Sequence, residues 1–128
     1  MEKNGYYISI LGRRFYFQYK QGSFGGEYLS KNEIANYKTQ GTAYDIVSIM
    51  MGKFWREKAL YNRDKYLMIN NVHDNIMLDC KEAFKSQAIN DLKVLELWQE
   101  VCKNRFNVDW KVPLVIDIKC GSSWYECF

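Results

Sequence analysis

Residues 66–79, Tyr-Leu-Met-Ile-Asn-Asn-Val-His-Asp-Asn-Ile-Met-Leu-Asp, set two short apolar runs on either side of a polar centre. The runs are Tyr66–Ile69 and Ile76–Leu78, and the centre is Asn70–Asn75. Such a pattern predicts two strands joined by a tight turn at His73–Asn75. Asp and Asn suit a hairpin tip because their short side chains bond the nearby backbone and tolerate left-handed conformations. On that ground alone Asp74 is a turn former. A second reading gives it chemistry, because a strand tip offers a rigid carboxylate to a divalent cation. Mg2+ takes oxygen ligands, commonly one or two carboxylates together with phosphate oxygens. Asp79 lies five positions further along the strand and is a poor co-ligand. A metal-binding Asp74 therefore takes its second carboxylate from elsewhere.

Upstream of this hairpin, Tyr6–Tyr19 is rich in Tyr, Phe and Ile around Gly12-Arg13-Arg14, which predicts another hairpin turning near Leu11–Arg13. Gln21–Gly26 holds three glycines and reads as a loop. A long helix is expected from about Lys31 to Leu60, with Ser30 as N-cap and Glu33 completing a capping box. Ile34, Tyr37, Tyr44, Val47, Met50, Met51 and Phe54 mostly recur there at three- and four-residue spacing. Gly41 interrupts this helix at a cost of about 1 kcal/mol relative to Ala, or else admits another backbone or a ligand.

Downstream, a second long helix is expected from about Lys81 to Lys103, its face built by Ala88, Ile89, Leu92, Leu95, Trp98 and Val101. Val112–Ile118 reads as a last strand, with Pro113 at its edge or start. The order predicts one α+β domain over residues 1–128, antiparallel hairpins packed with two long helices.

Composition narrows the function classes. Apolar residues make up 48% and aromatic residues 16%, which excludes a disordered tail. No apolar run approaches the roughly 20 residues that span a bilayer, and Met-Glu-Lys-Asn lacks the apolar core of a signal peptide. No membrane association is expected. Residues 1–65 hold 11 Lys/Arg against 6 Asp/Glu, whereas residues 66–128 hold 7 against 9. The basic first half could face phosphates, or it could be a solvated basic face. Cys80, Cys102, Cys120 and Cys127 form no C-x-x-C pair and His73 is the one histidine, a spacing that argues against zinc. Free thiols in a reducing cytoplasm are the expectation.

Four segments, in order, resemble the C-terminal part of family A DNA polymerases, the bacterial polymerase I and phage polymerase group. Gly5-Tyr6-x5-Gly12-Arg13-Arg14 resembles the hairpin ahead of the family's long palm-side helix. Asn36-x-x-x-Gln40-Gly41-Thr42-Ala43-x-Asp45-Ile46 resembles the start of that helix. Asn71-Val72-His73-Asp74-Asn75-Ile76 is similar to motif C, normally Val-His-Asp-Glu. Val112-Pro113-Leu114-x-Ile116-Asp117-x-Lys119-x-Gly121-x-x-Trp124 is similar to the terminal strand. The likeness spans essentially the whole chain.

The resemblance implies a partial polymerase palm in which Asp74 is a metal ligand and His73 contacts the primer strand. It implies that Gln40 reads the minor groove at the primer-template terminus, where correct base pairs present similar acceptors. Asn36 would assist at the template strand, and Arg13 and Arg14 are candidate phosphate contacts, with a turn-side ion pair as the alternative. Asn75 stands where motif C normally has Glu, and an amide carries no negative charge. Asn32 stands where polymerase I relatives often place an arginine.

Motif A, with the second metal-binding aspartate, and the nucleotide-holding fingers helix have no counterpart in these residues. The reading is therefore a separately encoded palm piece, as in a split gene of phage type. It would share Mg2+ with a partner chain carrying motif A and fingers, and act there on primer-template DNA and deoxynucleotides in a bacterial cytoplasm. The alternative is a non-catalytic module that grips DNA or a polymerase.

Overall fold

The structure is a computed structural model and describes residues 5–127. The N-terminal Met-Glu-Lys-Asn, read above as lacking a signal peptide, lies outside the described residues. The fold is α+β, and the chain forms two compact units divided between Ile49 and Met50.

In the first unit, β1 (Tyr6–Ile8) pairs antiparallel with β2 (Arg14–Tyr16), Tyr6 opposite Tyr16 and Ile8 opposite Arg14. The turn falls where expected. Ser9 N–H donates to Arg13 O at 2.8 Å, and Gly12 adopts φ 86°, a conformation open to glycine. Gln21–Gly26, expected as a loop, is the turn of a second small hairpin, β3 (Lys20–Gln21) with β4 (Glu27–Tyr28).

Helix α1 (Lys31–Glu57) starts at Ser30, whose Oγ accepts the Glu33 N–H at 3.3 Å. Only half of the capping box forms, because the Glu33 carboxylate turns to Lys20 Nζ at 2.7 Å. Gly41 has a packing reason. A Cβ there would lie 2.7 Å from Phe15 Cζ, so the bare glycine lets the β1–β2 hairpin seat its ring on the helix. Phe15 and Phe17 both meet Tyr37 edge-on, at 5.5 and 5.3 Å between ring centroids. The close neighbour among the described residues is a side chain rather than backbone.

The second unit has the larger core: Met50, Phe54, Ala59, Tyr66, Ala88, Val94, Leu95, Trp98, Val101 and Cys102 are buried. A 3-10 turn at Ala59–Tyr61 follows α1 and leads into β5 (Tyr66–Val72), which pairs antiparallel with β6 (Asn75–Cys80). Phe54 stacks on Tyr66 at 6.1 Å, fixing the root of β5 against the end of α1.

Two expectations fail here. The second long helix is broken into α2 (Lys85–Leu92) and α3 (Trp98–Phe106), with 3-10 turns at Glu82–Phe84 and Lys93–Glu96. Buried positions three apart suit a 3-10 turn as well as an α-helix, so the apolar spacing could not reveal the break. Asn107, left-handed at φ 54°, ends α3. The last strand, Val112–Ile118, pairs with no strand among the described residues. It keeps the two-residue alternation of a strand, with Leu114, Ile116 and Ile118 half-buried and Val115 and Asp117 exposed. Pro113 lacks the N–H that a ladder would use.

Candidate active site and nucleic-acid interface

The β5–β6 hairpin is built to hold its tip firmly. Tyr66 and Cys80 pair at its base and Val72 and Asn75 at its end, leaving His73 and Asp74 as a two-residue loop. A β-bulge between Met68 and Asn70 inserts an extra residue in β5, which bends the hairpin and re-aims its tip. Asn71 Nδ2 donates to Asn75 O at 3.1 Å, tying the two strands together just below the loop.

The left-handed residue of this turn is His73, at φ 56°, and neither Asp74 nor Asn75 has positive φ. A non-glycine residue held there costs on the order of 1 kcal/mol or more. Asp74 is exposed, and its carboxylate makes no hydrogen bond or ion pair among the described residues; nor does the His73 imidazole. The backbone-bonding role that would explain Asp74 as a turn former is absent.

The root of the hairpin is anchored by a buried polar cluster that sequence reasoning missed. Tyr66 Oη donates to Asp91 Oδ2 at 2.9 Å, and Lys58 Nζ reaches Asp91 Oδ1 at 3.4 Å. Burial, then the bond to Asp91, pushes the Tyr66 phenol well above its ordinary pKa. The cluster joins the end of α1, the start of β5 and α2. Asp91 lies 25 positions from Tyr66 and 33 from Lys58, and no local pattern announces the cluster.

In the first unit, Asn36 and Gln40 lie one helical turn apart on α1, both exposed and without hydrogen bonds among the described residues. Arg13 is committed to an ion pair. Its Nε lies 2.9 Å from Oδ1 of the buried Asp45, and the guanidinium sits 4.2 Å over the Phe15 ring. Ser9 Oγ donates to Asp45 Oδ2 at 3.3 Å and accepts the Arg13 N–H at 3.1 Å. Arg14 lies 5.2 Å over Tyr6 and hydrogen-bonds the Tyr16 side chain, with no carboxylate partner among the described residues. Of the two arginines, Arg14 is the one without an ion pair among the described residues. Asp45 was missed as a structural ligand, because it stands 32 positions from Arg13 and no local pattern joins the two.

Residues 1–126 match the sequence model of DNA polymerase family A. The chain belongs to that family. DNA polymerase I of Caldicellulosiruptor bescii is 27% identical over 96% of this chain, and that of Bacillus subtilis 27% over 98%. DNA polymerase I of Lactococcus lactis is 34% identical over 71% of it. The chain spans only 14%, 13% and 9% of these three relatives' lengths. No solved structure matches the chain.

Within this family A segment, the tip supplies one carboxylate. Asp79 faces Leu67 near the hairpin root, about 16 Å of strand away from Asp74. No group of three or more His, Cys, Asp or Glu side chains capable of holding a metal occurs among the described residues. Asp74 offers an exposed carboxylate of the oxygen-donor kind that Mg2+ takes, an ion that binds through few carboxylates and fills its sphere with water and phosphate. The four cysteines are free thiols, and burial pushes Cys80 and Cys102 above their ordinary pKa, away from the reactive thiolate. No helix among the described residues is long and apolar enough to cross a membrane.

Proposed function

We propose that this chain is the C-terminal palm segment of a template-directed DNA polymerase and supplies one of the two aspartates that hold the catalytic Mg2+ ions. The carrying observation is Asp74, exposed and unpaired on a two-residue turn, in a chain matched to the family over residues 1–126. Asp74 would help hold Mg2+, which would supply activation of a primer 3′-hydroxyl and charge stabilisation for the leaving pyrophosphate. His73, beside Asp74 on the same turn, contacts the primer strand. Asn36 and Gln40 present amides that can donate to the minor-groove acceptors shared by all correct pairs, Gln40 at the primer-template terminus and Asn36 towards the template strand. Arg14 is available for a phosphate contact; Arg13 supports it by holding the turn through Asp45.

Two-metal phosphoryl transfer needs a second carboxylate close by, and Asp74 is the one carboxylate in the turn segment 70–75. We therefore read the active enzyme as an assembly in which a partner chain carries motif A and the fingers, as in a split phage-type polymerase. The two-stranded β5–β6 sheet leaves unpaired backbone edges, to which a strand of that partner can add. The second reading, a non-catalytic DNA- or polymerase-binding module, is favoured by one feature: Asn75 replaces the motif C glutamate with a neutral amide.

The test is a pull-down of the chain from its native cell extract, followed by primer extension with Mg2+ and deoxynucleotides. Co-purification of a chain bearing motif A, with extension that requires Asp74, supports the split polymerase. Capture of DNA or of a polymerase, with synthesis indifferent to Asp74, supports the binding module.

A further inference from the structure

Two of the four thiols flank a small closed ring. Cys120 is exposed and Cys127 half-buried, and neither takes part in the site described above. Between them runs Gly-Ser-Ser-Trp-Tyr-Glu, residues 121–126. Glu126 folds back on the start of that stretch. Its Oε2 accepts the Ser122 N–H at 2.6 Å and the Ser122 hydroxyl at 2.9 Å, while its own N–H donates to Ser123 O at 3.2 Å. The Ser122 N–H, then the hydroxyl, holds the Glu126 carboxyl below its ordinary pKa, so the clasp is charged and in place at neutral pH.

Gly121 makes the ring tight. A Cβ on it would overlap Glu126 Cβ and lie 3.2 Å from the Glu126 carbonyl carbon, so a side chain there would push the ring open. That carbonyl carbon is bonded to Cys127, and Gly121 is bonded to Cys120. Ordinary bond geometry therefore keeps the two cysteine Cα atoms within about 11 Å of each other. A disulfide asks for a Cα separation of roughly 4.4–6.8 Å, a closure within reach of backbone rotations at the two flanking residues.

The other thiols are worse placed. Cys102 is buried in the core. Cys80 lies near enough to feel charge on Cys120, but burial, then the neighbouring Glu82 and Asp79, pushes its thiol up, away from the thiolate that exchange requires. Its Sγ–H donates to Lys81 O at 3.3 Å. Cys120, by contrast, is open to a small oxidant, and the clasp holds Cys127 close behind it.

We propose that Cys120 and Cys127 form a dithiol modification site, which a low-molecular-weight disulfide of the glutathione type converts into a covalent ring. The Cys120 thiolate attacks one sulfur of the oxidant, forming a mixed disulfide and expelling one glutathione thiolate. The Cys127 thiolate then displaces the second glutathione, and the Sγ–Sγ bond forms. The two cysteines give up two protons and two electrons, and the oxidant becomes two thiols. Oxidation thus locks covalently the ring that Glu126 pins by hydrogen bonds. The site stands independently of the polymerase reading.

The test equilibrates the full chain with mixtures of reduced and oxidised glutathione, caps the remaining thiols with N-ethylmaleimide in denaturant and digests with trypsin. Cleavage after Lys119 leaves Cys120 and Cys127 on one peptide, with Cys80 and Cys102 on two others. The expected product is that peptide about 2 Da lighter than its reduced form and free of maleimide, with Cys80 and Cys102 capped. When the equilibration itself is run in urea, where the clasp is gone, the equilibrium constant for ring closure should fall roughly 10-fold. Gly121→Ala should lower it about as far without urea, and circular dichroism verifies that this variant is folded.

The proposal is overturned by a stable glutathione adduct on Cys120, by a Cys80–Cys120 cross-link, or by four capped thiols under oxidising mixtures. Equal ring closure in the native, unfolded and Gly121→Ala chains also overturns it, because the fold would then contribute nothing to the pairing.

Discussion

Two tight turns in this chain carry residues that the motifs mark out, and they treat their charges in opposite ways. At the Ser9–Arg13 turn, the Arg13 guanidinium, the Asp45 carboxylate and the Ser9 hydroxyl satisfy one another. At the Val72–Asn75 turn, His73 is held in a left-handed conformation and neither its imidazole nor the Asp74 carboxylate finds a partner among the described residues. The first turn uses charge to lock a hairpin onto α1. The second leaves its carboxylate without a partner among the described residues. Marked polar residues thus divide into those the fold consumes and those it presents, and the division comes from hydrogen-bond partners rather than from residue type.

That contrast can be broken by mutation. The largest stability effect is expected at the consumed turn. Asp45→Ala removes a buried acceptor for Arg13 and Ser9; because Arg13 is partly exposed and can rehydrate, the expected loss is about 2 kcal/mol. Urea denaturation measures it, and a loss below about 0.5 kcal/mol would mean that the network is ornamental.

A smaller effect of the same kind is expected at the root of the presenting hairpin. Tyr66→Phe leaves the buried Asp91 with one donor fewer, at about 1.5 kcal/mol. The pH dependence has a definite sign. The folded-state pKa of Tyr66 is raised, so its contribution is fully present below the ordinary tyrosine value of about 10 and is lost as pH rises beyond it. Tyr66→Phe should therefore flatten the alkaline limb of stability against pH, whereas equal limbs in the two proteins would refute the assignment.

The smallest effect has the opposite sign. His73→Gly releases the left-handed strain and should stabilise the chain by up to about 1 kcal/mol, offset in part by glycine's entropy. If His73 serves the primer, that more stable variant extends primers less well. A variant that is both more stable and as active would reduce His73 to a turn residue.

How much was readable beforehand follows from the range of each interaction. The Ser30 N-cap, the β1–β2 turn at Gly12 and the His73–Asp74 tip depend on near neighbours, and each lies where its residues placed it. The capping box failed halfway because Lys20, ten positions before Ser30, competed for the Glu33 carboxylate. The break between α2 and α3 was invisible because three-residue spacing fits both helix types. Val112–Ile118 had the alternation of a strand, but a ladder needs a partner, and partnership is not a local property. The same limit hid Phe15 on Gly41, Asp45 on Arg13 and Asp91 on Tyr66. The tip residues came to notice from the strand–turn–strand pattern and then by resemblance to motif C, and the structure adds what neither could: the left-handed residue is His73, and Asp74 is unengaged among the described residues.

The central claim is that Asp74 is presented for catalysis rather than consumed by the fold. Its most direct test is primer extension by the chain combined with a partner carrying motif A and fingers, comparing wild type with Asp74→Ala. The account predicts a fall of more than about 100-fold, as expected when a metal loses a ligand worth about 3 kcal/mol in the transition state. Thermal stability, assembly and primer-template binding should stay within about 0.5 kcal/mol of the wild type. Extension by Asp74→Ala at the wild-type rate would contradict the account, and so would a loss of activity explained by unfolding.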